Sequence, residues 1–391
     1  MLGLVLSLLV AVTLTACTEV DQRAVRPGVA RTSPEAGDAA ASGNMGTATG
    51  GMLGAVSPEG VLPDARRIYF VNGRDLWQLP VDNPAAPVVV GRDLLAYSPS
   101  PDGEQVAVIF QGADGNAEQI AIINADSTVA LELGGAQGGQ SPLGDVRSLA
   151  WSPRGLMVAV ARLDGSITVV GADGSMRVVV PPGAATSPGR LQWSPDGATI
   201  AFLDPALPGR ASSLSTVTVE TGARRDLVRA DEASGGVVAA TWIPGRPELA
   251  YIRSDPALNA FGGDIFAIDP ATGAEQLLVS SGRFAPVAEL ADLAVSPDGK
   301  YLAFPVYVPD GEEAQLLGLW TMDLMTREFT EVPMPTGTVV TDLWWASGTL
   351  LYRAIDRNQV RVTDTYTGVE PFALYQYAVG AAESVERYRR P

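Results

Sequence analysis

Histidine is absent from all 391 residues, and cysteine occurs once, at Cys17. Without imidazole there is no Ser-His-Asp triad, no histidine general base and no histidine-ligated zinc or haem. One thiol permits neither an intrachain disulfide nor a cysteine-based metal site. Positive charge is also scarce: 27 Lys and Arg stand against 44 Asp and Glu, for a net charge of −17. A surface of that sign repels phosphates, and the short basic run ERYRRP at the C-terminus is too small to reverse it, so no nucleic-acid partner is expected. No Walker-type loop is present either. The glycine-rich stretch GGAQGGQSPLG from Gly134 lacks the Lys-Ser/Thr that a phosphate cradle needs.

What is abundant is turn chemistry and apolar surface. Hydrophobic residues make up 46% of the chain, beside 42 glycines and 29 prolines, a balance that favours many short strands over long helices. Residues 2–14, LGLVLSLLVAVTL, form an uncharged run of signal-peptide length, too short for a membrane span. Leu14, Thr15, Ala16 and Cys17 follow it and closely resemble a bacterial lipobox. That resemblance implies cleavage before Cys17 and diacylation of its thiol, although no Lys or Arg precedes Leu2. The segment after Cys17 is rich in Ala, Gly, Ser, Thr and Pro with no apolar period, and it is read as a disordered tether. The expected order is a signal peptide over 1–16, a lipidated cysteine and linker over 17–60, and a folded body over 61–391.

The body is repetitive. SPSPDGEQVAVIF from Ser98, LAWSPRGLMVAVAR from Leu149, LQWSPDGATIAF from Leu191, ATWIPGRPELAYIR from Ala240 and LAVSPDGKYLAF from Leu293 are copies of one phrase. A degraded LWWASGTLLYRA starts at Leu343, and LPDARRIYFVN from Leu62 matches the second half. Each copy is followed by a hairpin-like pair of alternating apolar runs, seven in all, with QVRVTDTYTGVEPFAL as the last. The spacing, roughly 40 to 55 residues, is that of a four-stranded propeller blade. In the phrase, Pro sets φ, Asp102, Asp196 or Asp298 bonds downstream backbone, and Gly103, Gly197 or Gly299 accepts positive φ. Trp151, Trp193, Trp242 and Trp345 are large enough to fill the space between adjacent twisted sheets.

These units resemble the TolB-type, WD40-like (PD40) repeats, and more loosely the propellers of LpqB-like lipoproteins, over residues 61–391. The resemblance implies an all-β chain folded as a single β-propeller of four-stranded blades. Seven blades are expected and six remain open, with the tail ALYQYAVGAAE a candidate to complete the first blade and close the ring. Peptidases with such propellers carry a separate catalytic domain and a histidine, for which this chain has neither room nor residue. The expectation is therefore a monomeric, non-enzymatic scaffold without cofactor or metal. It would be lipid-anchored through Cys17 on the extracytoplasmic side of a bacterial membrane and bind envelope proteins of unknown identity. The alternatives are a hydrolase or lactonase using acidic residues of the central funnel with a divalent cation, or a solute- or carbohydrate-binding propeller. Asp114, Asn116 and the Asp173-Gly174 turn could each be drawn as cation ligands, but neither place has the oxygen count of a Ca²⁺ loop. Phe261 and Trp344 could anchor a partner, with core packing the favoured assignment.

Overall fold

The computed structural model describes residues 66–390 except 73–74, 82–86, 93, 112–117, 134–145, 156, 172, 186–187, 206–211, 232–234, 255–261, 311–312, 347 and 357–370. Its strands form seven consecutive antiparallel units, of which the fourth, fifth and sixth are bridged into one 13-stranded sheet through the pairs Ser212 with Val237 and Gly263 with Leu290. Unit 1 holds β1 (Arg67–Asn72), β2 (Asp75–Pro80) and β3 (Val88–Gly91). Unit 2 holds β4 (Leu94–Pro99), β5 (Gln105–Gln111), β6 (Glu118–Asn124) and β7 (Val129–Leu133). Unit 3 holds β8 (Val146–Trp151), β9 (Met157–Arg162), β10 (Ile167–Gly171) and β11 (Met176–Val180). Unit 4 holds β12 (Gly189–Trp193), β13 (Thr199–Pro205), β14 (Ser212–Thr218) and β15 (Arg224–Val228). Unit 5 holds β16 (Val237–Trp242), β17 (Leu249–Ser254), β18 (Gly263–Ile268) and β19 (Glu275–Val279). In unit 6 the first strand is broken into β20 (Glu289–Leu290) and β21 (Ala294–Val295), followed by β22 (Tyr301–Asp310), β23 (Glu313–Asp323) and β24 (Phe329–Val332). Unit 7 holds β25 (Thr338–Ala346), β26 (Thr349–Asp356), β27 (Phe372–Tyr377) and β28 (Val385–Arg390).

The core is distributed as seven clusters, one at each boundary between units. Tyr69 and Leu76 of unit 1 meet Tyr97 and Val106 of unit 2, and the pattern repeats through Ile109 with Trp151, Ala159 with Trp193, Leu214 with Trp242, Ile252 with Phe304, and Leu319 with Trp345. The seventh cluster joins the last unit to the first, with Trp344, Leu351 and Phe372 packed on Ile68, Phe70 and Leu79. The cluster sequence is thus cyclic, which is the packing of a β-propeller. A four-stranded sheet has two apolar faces and can bury both only by stacking in such a ring.

The repeated phrase explains why each unit begins alike. Ser100 donates its hydroxyl to Asp102 Oδ1 at 2.6 Å, and the same oxygen accepts the Glu104 amide at 3.0 Å. The Gln105 amide returns to Ser100 Oγ at 2.9 Å, locking the turn into the second strand. Ser296 and Asp298 reproduce the set at 2.6, 3.0 and 2.8 Å, and Ser194 with Asp196 does the same. In units 3, 4, 5 and 7 the residue before the turn is a tryptophan that reaches the preceding unit. Trp193, Trp242 and Trp345 donate their indole N–H to the carbonyls of Ala150, Gln192 and Ala294 at 3.0, 3.3 and 3.1 Å. For Trp151 the link is its backbone amide, 2.8 Å from Ser98 Oγ.

One sequence-based expectation changes here. The segment around ALYQYAVGAAE does not complete unit 1: β27 lies between β26 and β28, with Leu350 opposite Tyr377 and Gln376 opposite Val385. It has partners on both sides within its own unit and nothing left to lend. Of the expected hairpin QVRVTDTYTGVEPFAL, 359–370 lie outside the described residues, and Phe372 opens the third strand of unit 7. Among the described residues unit 1 has three strands, and β1 has no strand on its inner side.

The turns also touch around the ring, which yields a test. Gly299 and Gly245 lie in the turns of successive units, at the fourth and third turn positions, with φ of 67° and 73°. A Cβ on Gly299 would stand 2.1 Å from the Pro244 carbonyl oxygen, whereas one on Gly245 meets nothing within 4 Å. Gly245→Ala should cost about 1 kcal/mol for the left-handed backbone alone. Gly299→Ala should cost about 3 kcal/mol or more, because backbone must move as well. Urea unfolding of the two variants checks this; equal losses would contradict it.

Candidate functional site

The first strand of each of units 2 to 7 is the inner one, and five of these six carry an irregularity near their start. Register slips occur between Leu94 and Ala96, Val146 and Ser148, Gly189 and Gln192, Val237 and Ala239, and Val340 and Asp342. In unit 6 the equivalent place is the break over 291–293 between β20 and β21. A bulge leaves one residue unpaired and re-aims its side chain. The residues released are Leu95, Arg147, Arg190, Val238, Asp292 and Thr341, all at least partly exposed although the strands themselves are buried. They share one mouth of the central channel. The second and fourth strands end, and the third strands begin, at this rim.

Electrostatic attraction and repulsion, in two cases between units that are not neighbours, put Arg190, Asp292, Asp342 and Tyr97 within reach of one another. Arg190 of unit 4 attracts Asp292 of unit 6, Asp292 is repelled by Asp342 of unit 7, and Asp342 acts on Tyr97 of unit 2. Burial raises the Asp292 carboxyl from its ordinary 3.8 to about 6, helped by Asp342 and opposed by Arg190 and the Leu293 amide. Tyr307 is pushed upward first by burial and then by the Asp292 and Asp342 charges; its hydroxyl donates to the Val340 carbonyl at 2.8 Å.

Asp342 is held by Arg353, with Nε 2.6 Å from Oδ2 and both side chains almost fully buried. The same Nε lies 2.8 Å from Thr341 Oγ1, while a terminal guanidinium nitrogen donates to the Val71 carbonyl of unit 1 at 2.6 Å. The guanidinium is 5.8 Å from the ring centroids of both Phe70 and Phe372. On the other flank Tyr97 donates to the Tyr69 carbonyl at 3.2 Å. In the β1–β2 hairpin the pair Asn72 and Asp75 brackets a two-residue turn, so alternate residues Tyr69 and Val71 turn their carbonyls away from β2. Side chains from units 2 and 7 therefore satisfy the edge that a fourth strand would otherwise cover.

Other positions singled out by sequence lie elsewhere. Leu14, Thr15, Ala16, Cys17, Asp114, Asn116, Phe261 and the stretch from Gly134 fall outside the described residues. Asp102, Asp196 and Asp298 brace turns at the rim opposite the mouth. Asp173 is an exposed turn residue whose carboxyl accepts the Ser175 amide at 2.9 Å. Trp344 is buried against Phe70, ring centroids 6.2 Å apart. Among the described residues no group of three or more His, Cys, Asp and Glu is placed to hold a metal ion. The mouth residues had a sequence signal that repeat alignment offers: polar side chains three or four places before the tryptophan position, in VRSLAW, GRLQW, DLAV and TDLWW.

No protein-family model and no curated protein matches the chain. Solved structures do. A prolyl endopeptidase aligns at 14% identity and TM-score 0.59, covering 86% of this chain and 51% of that one, so the chain spans about half of that enzyme. An oligogalacturonate lyase in complex with manganese aligns at 10% identity and TM-score 0.52, over 82% of this chain and 94% of that one. A chain of a mitotic checkpoint complex aligns at 13% identity and TM-score 0.50, over 77% and 88%. At these identities the likeness conveys the β-propeller fold. It also corrects the expectation that the chain is not an enzyme: two enzymes share this framework, so the absence of histidine from the sequence does not exclude catalysis upon it.

The raised Asp292 carboxyl has a stability signature. A carboxyl that is harder to ionise in the folded state favours folding below pH 4, and that contribution is lost as pH rises from about 4 through about 6. Asp292→Asn should therefore match the parent at pH 4 and exceed its stability at pH 7 by on the order of 2 kcal/mol. Urea unfolding at both pH values measures it; a pH-independent difference would show that Asp292 ionises as an ordinary carboxyl.

Proposed function

We propose that the chain is a monomeric, lipid-anchored extracytoplasmic propeller that binds an envelope protein through the rim at which its inner strands begin. The observation that carries the reading is the gathering at this rim of the released residues Leu95, Arg147, Arg190, Val238 and Asp292. Rigid ring plus variable rim is the arrangement in which binding residues sit on loops held by a scaffold. The anchoring half rests on the lipobox-like Leu14-Thr15-Ala16-Cys17 and the unpatterned segment after it. With a net charge of −17 the body would be repelled by anionic lipid, which suits a domain held off the bilayer.

A second reading is chemistry in the mouth, favoured by one observation. Asp292, titrating near 6, shares that space with Asp342, which is paired to Arg353. Two carboxyls whose environments differ in this way are what general acid and base work requires.

The test uses the full chain and a Cys17→Ser variant in a bacterial host, followed by membrane fractionation, fatty-acid labelling and cross-linked pull-down. The parent should label, fractionate with membrane and recover the same envelope proteins repeatedly, and the variant should do none of these. Equal membrane recovery of both would end the anchoring reading. Correct labelling with no recurrent partner would shift weight to the mouth, where loss of turnover in Asp292→Asn would be decisive.

A further inference from the structure

The channel mouth carries two arginines that the fold itself does not use. Arg147 and Arg190 are both residues released by bulges, on the adjacent inner strands β8 and β12. They converge: Arg147 Nε lies 3.5 Å from where a Cβ on Gly189 would stand, so glycine at 189 leaves the space into which Arg147 leans. Among the described residues neither guanidinium has a hydrogen bond or ion pair, whereas Arg224, Arg253, Arg353 and Arg389 are each paired with a carboxylate within 3.0 Å. In a chain with 44 acidic residues, two neighbouring arginines without such a partner are conspicuous.

Arg190 is also held at φ 47°, in the left-handed region where glycine would be at ease. A non-glycine residue pays roughly 1 to 2 kcal/mol for that conformation. Strain of this kind concentrates where a side chain is needed at a given point in space. Arg190 is also near enough to Asp292, two units away, for the opposite charges to attract.

From this geometry we infer that Arg147 and Arg190 form a binding site for a carboxylate, with Asp292 across the mouth accepting a hydrogen bond from a neighbouring hydroxyl or amide N–H of the same ligand. Guanidinium forks match the planar carboxylate, and each charge-assisted bond is about twice as strong as a neutral one. A compact dianion fits less well, because Asp292 and Asp342 face the same space and repel its second charge. The inference stands apart from the choice of partner at the rim: the carboxylate can belong to a free hydroxy acid or to an acidic side chain of a protein.

The experiment is isothermal titration of the full chain at pH 7 with three probes: gluconate, acetyl-Ala-Glu-amide and inorganic phosphate. Gluconate or the peptide should bind at one site per chain and more tightly than phosphate, and whichever prevails identifies the source. Arg147→Gln and Arg190→Gln should each weaken that binding at least tenfold. Arg190→Gly separates binding from folding, since it relieves the backbone: affinity should fall as far while the melting temperature holds or rises. Absence of saturable binding by both carboxylates, affinity unchanged in the arginine variants, or tighter binding of phosphate would overturn the inference.

Discussion

The contact between the last unit and the first is the one on which the rest depends. Six of the seven interfaces join units adjacent in sequence, but Phe70 against Trp344 and Phe372, with Arg353 reaching the Val71 carbonyl 282 residues away, joins the two ends of the folded chain. A stack of twisted sheets left open at that point would expose two apolar faces and two rows of unpaired edge groups. Arg353 is central to the closure because it satisfies Asp342, the Val71 carbonyl and two aromatic faces at once. Removing it would strand a buried carboxylate as well as open a seam. A second arginine, Arg387, supports the same seam by donating to the Val81 carbonyl at 2.9 Å.

Closure also explains the channel mouth. Because unit 1 lacks an inner strand among the described residues, its edge carbonyls are met by Tyr97 from one side and Arg353 from the other. That brings the Asp342–Arg353 pair to the axis, where it acts on Asp292 and Tyr97 of other units. Burial is the main cause of the raised Asp292 carboxyl, and the Asp342 charge brought there by closure adds to it. The same space receives Arg190 from the opposite side, so opposite charges face one another across a partly desolvated opening. Such places are where ligands and chemistry are found in folded proteins.

The fold was legible because its determinants are local. Ser-Pro-Asp-Gly writes a turn within a few residues, readable at Asp102, Asp196 and Asp298, and a tryptophan ahead of the turn, as at Trp193, writes a contact to the preceding unit. The inner-strand bulges were not legible: a bulge shows only against its partner strand, and Arg147 and Arg190 look like ordinary polar residues before an apolar run. Nor could the pairing of Arg353 with Asp342 be seen, since those residues meet across two strands and act on positions some 240 residues away. The misassigned tail has the same origin: apolar alternation in ALYQY marks a strand but not which neighbour it takes. Function is less legible still, because the segment carrying Cys17 and the folded ring make separate statements, and the ring alone is shared by enzymes and by a chain of a checkpoint assembly.

The dependence of the whole ring on its closure can be measured by native-state hydrogen exchange of Arg353→Met. Unit 4, with its inner strand Gly189–Trp193, lies farthest around the ring from that seam. If closure sustains all seven units, the slowest amides of unit 4 should lose protection by about as much as those of units 1 and 7, on the order of 3 to 5 kcal/mol for breaking a buried pair. Protection in unit 4 that stays at the parent's level while units 1 and 7 open would contradict it.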